Sequence, residues 1–473
     1  MNRKWIIIGI IAVIGIGILA MPRWMWRGNR SLTEINELRN RGKKEEQKQD
    51  VELSIPKELI PFVNLRNPDI NVAREAFMGI SNNWNDSYAV MILELRGIIQ
   101  NPHITQNLIK LLEDKTSRSP SDIVGMYRWI WGPKVTEHPR YAEFKSLLYN
   151  GIDTRFRKVF SPRPQAQIDL RELLFNGSHD DRVPSIQQPQ MVTRDKATEL
   201  RDSHMVVGIM VDGVAKAYPR KMLAHHEVVK DQIGKSKILL VDCVISGTVT
   251  AFSSTSEKLM DFFSSGFIYR SHKVLMDPSS STLWSSVTGE RIVGPKTQPL
   301  VRHPVVITTW GEWKQRHPNT WILNPKKPKL GSREIDYSGM SPRDQYLDND
   351  TPAAPIPEVA TSLKNKTDVL VIPKQEPVAI AINYRKKHSL FHYEDVVVLS
   401  NKVGASRVYL ADAKKFTTWD GKSTVTDSKG GKWQVTESGL VGPDKKTACP
   451  RVTSYNTFWF AWNVLHPKAT LLK

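Results

Sequence analysis

The spacing of apolar and polar positions changes twice along this chain. From Trp5 to Met21 there is no alternation: 17 residues, W-I-I-I-G-I-I-A-V-I-G-I-G-I-L-A-M, run without a charge. That length is short for a membrane-spanning helix and long for the core of a signal peptide. Trp24 and Trp26 between Arg23 and Arg27 suit a membrane interface. A small-x-small cleavage site is poor, since Ile18 stands two residues before Ala20. Residues 1–30 are therefore expected to form an uncleaved signal anchor, and residues 31–55, polar and mixed in charge, a solvated stalk.

Residues 56–182 show helical spacing, as in N-V-A-R-E-A-F-M-G-I and S-Y-A-V-M-I-L-E-L-R-G-I-I. Ser119 is placed to cap a helix whose first residue is Pro120, and Trp129 and Trp131 read as core. From about residue 183 the period shortens. V-V-G-I-M-V-D-G-V-A-K-A-Y-P reads as two strands around an Asp-Gly turn; K-I-L-L-V-D-C-V, T-V-T-A-F and G-F-I-Y-R-S-H-K-V-L-M-D add more strands. The fold class this predicts is α+β: an anchor, a small α-helical domain, then two related, mostly β units.

The two units come from an internal repeat. Trp284, Trp310 and Trp313 recur as Trp433, Trp459 and Trp462 in one register, and the His317-Pro318 step recurs as His466-Pro467. One register over three tryptophans indicates a duplicated fold; two copies are too few for a solenoid. The expected units are 183–330 and 377–473, joined by a Pro-, Asp- and Lys-rich connector over 331–376. W-x2-W places both rings on one helical face, and the His-Pro step ends the helix, so His317 and His466 read as structural.

Composition alters the picture in one respect. The net charge is +19, and residues 364–473 hold 18 Lys/Arg against 9 Asp/Glu, so much of the excess lies near the C-terminus. Such a balance favours anionic envelope polymers or anionic lipid as partners. No zinc-ligand spacing, RNA-binding aromatic pattern or Gly-rich phosphate loop occurs, and no nucleic-acid partner is expected. The basic flanks of the anchor, Arg3 and Lys4 against Arg23, Arg27 and Arg30, do not set its orientation. The expected location is the cell membrane, single-pass, with the body on the extracytoplasmic side. Two cysteines, Cys243 and Cys449, are too few for a disulfide scaffold, although one bridge fits an oxidising compartment.

Candidate chemistry gathers where the copies differ. The first unit alone has A-H-H-E (224–227) and Cys243, followed by Ser246-Gly247-Thr248; the second has His388 and His392 with no cysteine near them. The motifs V-D-G-V-A-K-A-Y-P, A-H-H-E-V-V-K-D, V-D-C-V-I-S-G-T, S-G-F-I-Y-R-S-H-K-V-L-M-D, T-T-W-G-E-W-K-Q-R-H-P and F-W-F-A-W-N-V-L-H-P make residues 120–473 resemble the bacterial family called domain of unknown function 3179. The resemblance implies a W-H-E motif, matched here by His225-His226-Glu227 with His225 in place of the tryptophan. It also implies a C-P-L-C-G-T or C-P-L-T-G-T motif, met by Cys243 to Thr248 with Ser246 in place of a second cysteine. It implies candidate residues but no reaction.

Three readings of these residues stay open. A thiolate beside imidazole is a soft pair suited to copper, with Met276 or His272 completing a set of His226, Cys243, Met276 and His272. The same pair could serve as nucleophile and base in catalysis, with Glu227 orienting His226. Alternatively Cys243 and His226 are purely structural, in a non-enzymatic envelope scaffold or binding protein.

Overall fold

The computed structural model describes residues 55–473, except residue 100 and the stretches 161–162, 180–183, 255–258, 260, 327–328, 331–332, 335–336 and 338. The expected anchor, and the stalk up to residue 54, lie outside the described residues. Among the described residues no helix is long and apolar enough to cross a membrane. The architecture is α+β, a helical region followed by β-rich sheets.

The helical region carries its start signals in the sequence. Asn101 caps Pro102–Thr116, its side chain accepting from the amides of His103 and Ile104, with Pro102 in the first turn. Ile104, Leu108, Leu111 and Leu112 make that helix's buried stripe. The helix expected at Ser119 begins later, at Ile123, because the Asp122 carboxylate accepts from Gly125 N; Ser119 bonds Ser121 instead. Helix Tyr88–Arg96 is enclosed on nearly every side, so its one acidic residue needs internal partners. Glu94 accepts from Lys145 Nζ at 2.6 Å, from Tyr149 OH at 2.9 Å and from Tyr141 OH.

Lys145 also donates to the carbonyl of Leu173 at 2.9 Å. That bond ties the helices to strand Leu173–His179, which pairs with Phe263–Tyr269 of the first β unit. The region expected to be wholly helical up to residue 182 thus ends in a strand of the next unit. A continuous apolar core runs from Leu59 and Phe62 through Cys243 and Met276 to Phe458 and Val464, so the helices and the β units share their interior.

The repeat is a repeat of topology. In the first unit one sheet runs Val305–Thr309, Met205–Val211, Val214–Pro219, Trp321–Leu323, with the last two parallel. In the second, Tyr455–Phe458, Asp368–Ile372, Val378–Ala381 and Thr470–Leu472 follow the same order with the same directions. Each sheet's first strand leads into a short tryptophan helix, Trp310–Arg316 or Trp459–Asn463. His317 packs against Trp313 and His466 against Trp462, the rings tilted and their centroids 4.1 Å apart in both. Trp313 lies across Gly208, where a Cβ would come within 2.2 Å of the indole.

The remaining strands differ between the copies. The first unit splits them into two five-stranded sheets, one centred on Ser236–Cys243 and the other on His272–Asp277. The second merges them into one eight-stranded sheet, joined where Ser406–Leu410 pairs with Ala448–Val452. The expected connector is not a bare linker. It supplies helix Pro342–Leu347, packed on helix Arg220–His226, and strand Asp368–Ile372 of the second unit's sheet.

Candidate functional site around Cys243

Helix Arg220–His226 ends on Glu227, whose backbone is left-handed at φ 58°. Its carbonyl accepts from Asp242 N at 2.8 Å, which fixes the helix end against the end of strand Ser236–Cys243. Cys243 is the last residue of that strand, paired with Thr248 across the turn. The turn is short because Gly247 takes φ +68°, and it is held by the other copy. Phe458 N donates to the Ser246 carbonyl at 2.8 Å, and the hydroxyls of Thr248 and Thr457 lie 2.8 Å apart. A Cβ at Gly247 would come within 2.8 Å of the Phe458 ring.

The charged groups acting on Cys243 are Glu227 and Lys273. Lys273, from strand His272–Asp277, places Nζ 2.6 Å from Glu227 Oε2 and donates to Ser264 Oγ at 2.8 Å. Cys243 itself is fully enclosed. Burial pushes its thiol pKa up, the Glu227 carboxylate adds to this, and Lys273 and Ser246 oppose it. Tyr346, from the connector helix, is buried in the same apolar core, and its ring carries the Lys366 ammonium 3.4 Å from its centroid. The thiol is therefore protonated and shut in at neutral pH, the opposite of an activated nucleophile.

The expected pairing of Cys243 with His226 is replaced by this arrangement. His226 is fully buried, with Nδ1 2.9 Å from the Pro184 carbonyl and Nε2 2.5 Å from Tyr337 OH. A carbonyl can only accept, so Nδ1 carries the proton and Nε2 accepts from Tyr337 in a neutral ring. Burial holds its pKa below the ordinary histidine value. Neither nitrogen is left for a thiol or a metal. Glu227 likewise pairs with Lys273, not with the imidazole it was expected to orient.

The rest of the copper-like set does not converge either. His272 directs Nδ1 to the Arg270 carbonyl at 3.1 Å and lines a separate cavity of about 200 Å³ with Tyr269, Glu290 and Arg291. Burial pulls its pKa down to about 3. Met276 is fully buried in the apolar core. Among the described residues no group of three or more His, Cys, Asp or Glu side chains is placed to hold a metal ion. Cys243 and Cys449 are both free, buried thiols.

Sequence reasoning missed Lys273 and Tyr346. The signal for Lys273 was available: a single basic residue inside the apolar strand H-K-V-L-M-D needs an internal carboxylate. Tyr346 had no such signal, since its segment reads as a linker. The second copy shows what the position requires. There the strand ends on Ser400, opposite Ser406; their hydroxyls are 2.8 Å apart, and Arg385 Nη1 donates to Ser406 at 2.9 Å. A small buried group at the strand end is common to both copies; the thiol is not.

No curated protein and no solved structure is significantly similar to this chain. The family described as a protein of unknown function (DUF3179) has a model that matches residues 180–469, more than half of the chain and most of both β units, and the chain belongs to that family.

Proposed function

We propose that this protein is a non-enzymatic binding protein of the cell membrane, anchored by its N-terminal apolar run with its body on the extracytoplasmic side, and that its second β unit docks on anionic lipid headgroups. The observation that carries this reading is a lysine-rich end of the eight-stranded sheet. Strands Phe416–Trp419, Thr424–Asp427, Lys432–Val435 and Gly439–Val441 are antiparallel neighbours. Lys414, Lys415, Lys429, Lys432, Lys445 and Lys446 therefore all fall at one end of them. None of these ammonium groups forms an ion pair among the described residues, and all but Lys414 are exposed.

The carboxylates at that end are turned to local tasks. Asp427 accepts from the amides of Lys429 and Gly431 and from Trp433 Nε1. Asp444 accepts from Lys446 N, Thr447 N and Thr447 Oγ1. Glu394 and Asp395, in the turn beside Asp412 at the same end of the sheet, are paired with Lys374. Among the described residues Asp412 alone has no such partner, so with Lys374 counted seven lysines stand against five carboxylates. The matching turn of the first unit is D-P-S-S-S, without a lysine. An exposed lysine close to an anionic membrane surface contributes about 1 kcal/mol, so a cluster of this size suffices for reversible docking.

The test is amine labelling of the full-length chain in nanodiscs of neutral or of phosphatidylglycerol-containing bilayer. The expected result is several-fold slower labelling of Lys429, Lys432, Lys445 and Lys446 in the anionic discs, relieved by high salt. Equal labelling in both discs would overturn the reading. Protection by a soluble polyanion with none from the anionic bilayer would replace lipid with an envelope polymer.

A further inference from the structure

Polar atoms without partners are buried where the first unit faces the connector helix. Asp242 is fully enclosed; its Oδ2 accepts from Arg220 Nε at 3.3 Å, while its Oδ1 has no partner. Arg220 Nη2 has none, and neither has Arg343 Nη1. Arg220, about nine-tenths buried, opens helix Arg220–His226; Arg343 comes from helix Pro342–Leu347, packed against it. The Arg343 guanidinium is held over the Phe458 ring, 5.1 Å from its centroid. Burial, then the Arg220 charge, bring its pKa down to about 10.

Charge and valence constrain what completes this cluster. Two guanidiniums share one inner carboxylate, which leaves a positive charge in excess. The other carboxylates near Arg343 are engaged elsewhere: Asp368 by Arg385 and Asn456, and Asp344 by Ser341. A buried donor or acceptor left unmade costs about 1–3 kcal/mol, more for a charged group. The complement is an anion with at least two acceptor oxygens and one O–H of its own. A water molecule has the valence without the charge. Sulfate has the charge but no proton for Asp242. A simple carboxylate leaves Asp242 Oδ1 unpaired.

We propose that Arg220, Asp242 and Arg343 bind a phosphate group in its monoanionic form, two oxygens accepting from Arg220 Nη2 and Arg343 Nη1 and the P–OH donating to Asp242 Oδ1. The arginine fork suits a tetrahedral oxyanion, and the buried carboxylate selects for one that is protonated.

The test is calorimetric titration of the detergent-solubilised full chain with inorganic phosphate, sulfate and methyl phosphate at fixed ionic strength. Saturable phosphate binding, about tenfold or more tighter than sulfate, is expected. Arg343→Gln should weaken phosphate binding about tenfold or more, with thermal unfolding in phosphate-free buffer measured alongside to show that the variant still folds. Asp242→Asn should narrow the gap between phosphate and sulfate. If that variant fails to fold, the anion ratio and Arg343→Gln still decide. Tighter binding of methyl phosphate than of free phosphate also supports the site and assigns the group to an ester. No saturable phosphate binding, equal affinity for sulfate, or indifference to Arg343→Gln would each overturn the proposal.

Discussion

Lys273 Nζ and Glu227 Oε2 lie 2.6 Å apart, with neither side chain more than a tenth exposed. They join two sheet systems of the first unit, since Lys273 stands on the strand beside Phe263–Tyr269 and Glu227 ends the helix before Val228–Ile233. A buried pair of this kind adds little over an apolar replacement, but losing one member strands the other. Glu227→Gln should therefore destabilise the chain by about 3–5 kcal/mol in urea unfolding. Lys273→Met combined with Glu227→Leu should cost much less than either single removal. Additive single effects would mean that the two side chains do not depend on each other.

Cys243 and Cys449 should both resist alkylation in the folded chain at pH 8 and react fully after unfolding, because both are buried and burial raises both thiol pKa values. Mass spectrometry after a timed maleimide pulse reads this directly. Fast modification of Cys243 in the native state would restore a chemical role for it.

Gly247→Ala should be among the more damaging single-methyl additions in the molecule. It combines a left-handed backbone at φ +68° with a Cβ 2.8 Å from the Phe458 ring. The strained backbone alone costs about 1–3 kcal/mol, and the displaced ring adds to it. Gly213→Ala has a similar φ of +76° with nothing within 4 Å of the new Cβ, and it should show the backbone cost alone. Equal unfolding midpoints for the two variants would show that the Phe458 contact contributes nothing.

His226 and His272 give the chain an acid-sensitive stability. Both are held below the ordinary value of 6.5 by burial, His272 down to about 3. The unfolded chain then binds more protons than the folded one, so stability falls as pH drops below about 6.5 and continues to fall towards 3. Each histidine contributes a slope of up to about 1.4 kcal/mol per pH unit. His272→Gln should flatten the fall in urea midpoint between pH 6 and pH 4. An unchanged slope would place the proton uptake elsewhere.

The parts of this fold that could be read from the sequence were those with a period or a repeat. The Asp212-Gly213 hairpin is visible because two apolar runs flank a dipeptide that takes positive φ at both residues. The duplication is visible because three tryptophans keep one register. What could not be read was pairing between distant segments. Cys243 and His226 both sit at element ends close in sequence, yet a helix end and a strand end can face different layers, and here His226 meets Pro184 and Tyr337 while Cys243 bonds Ser246 and lies in the field of Glu227 and Lys273. Arg343 and Tyr346 were hidden by a polar, Pro-containing stretch whose one helical turn gains its packing only against the finished core.

The bond from Thr457 Oγ1 to the Ser246 carbonyl spans 211 positions of the chain. During synthesis the first unit emerges long before the strand that closes its turn, and contacts of such separation form late. The Cys243 end of its sheet must wait, incomplete and apolar, until Thr457 and Phe458 are made. A truncation that removes only the C-terminal tryptophan helix and its strand would then be felt first at the opposite unit, as an aggregation-prone product with an accessible cysteine.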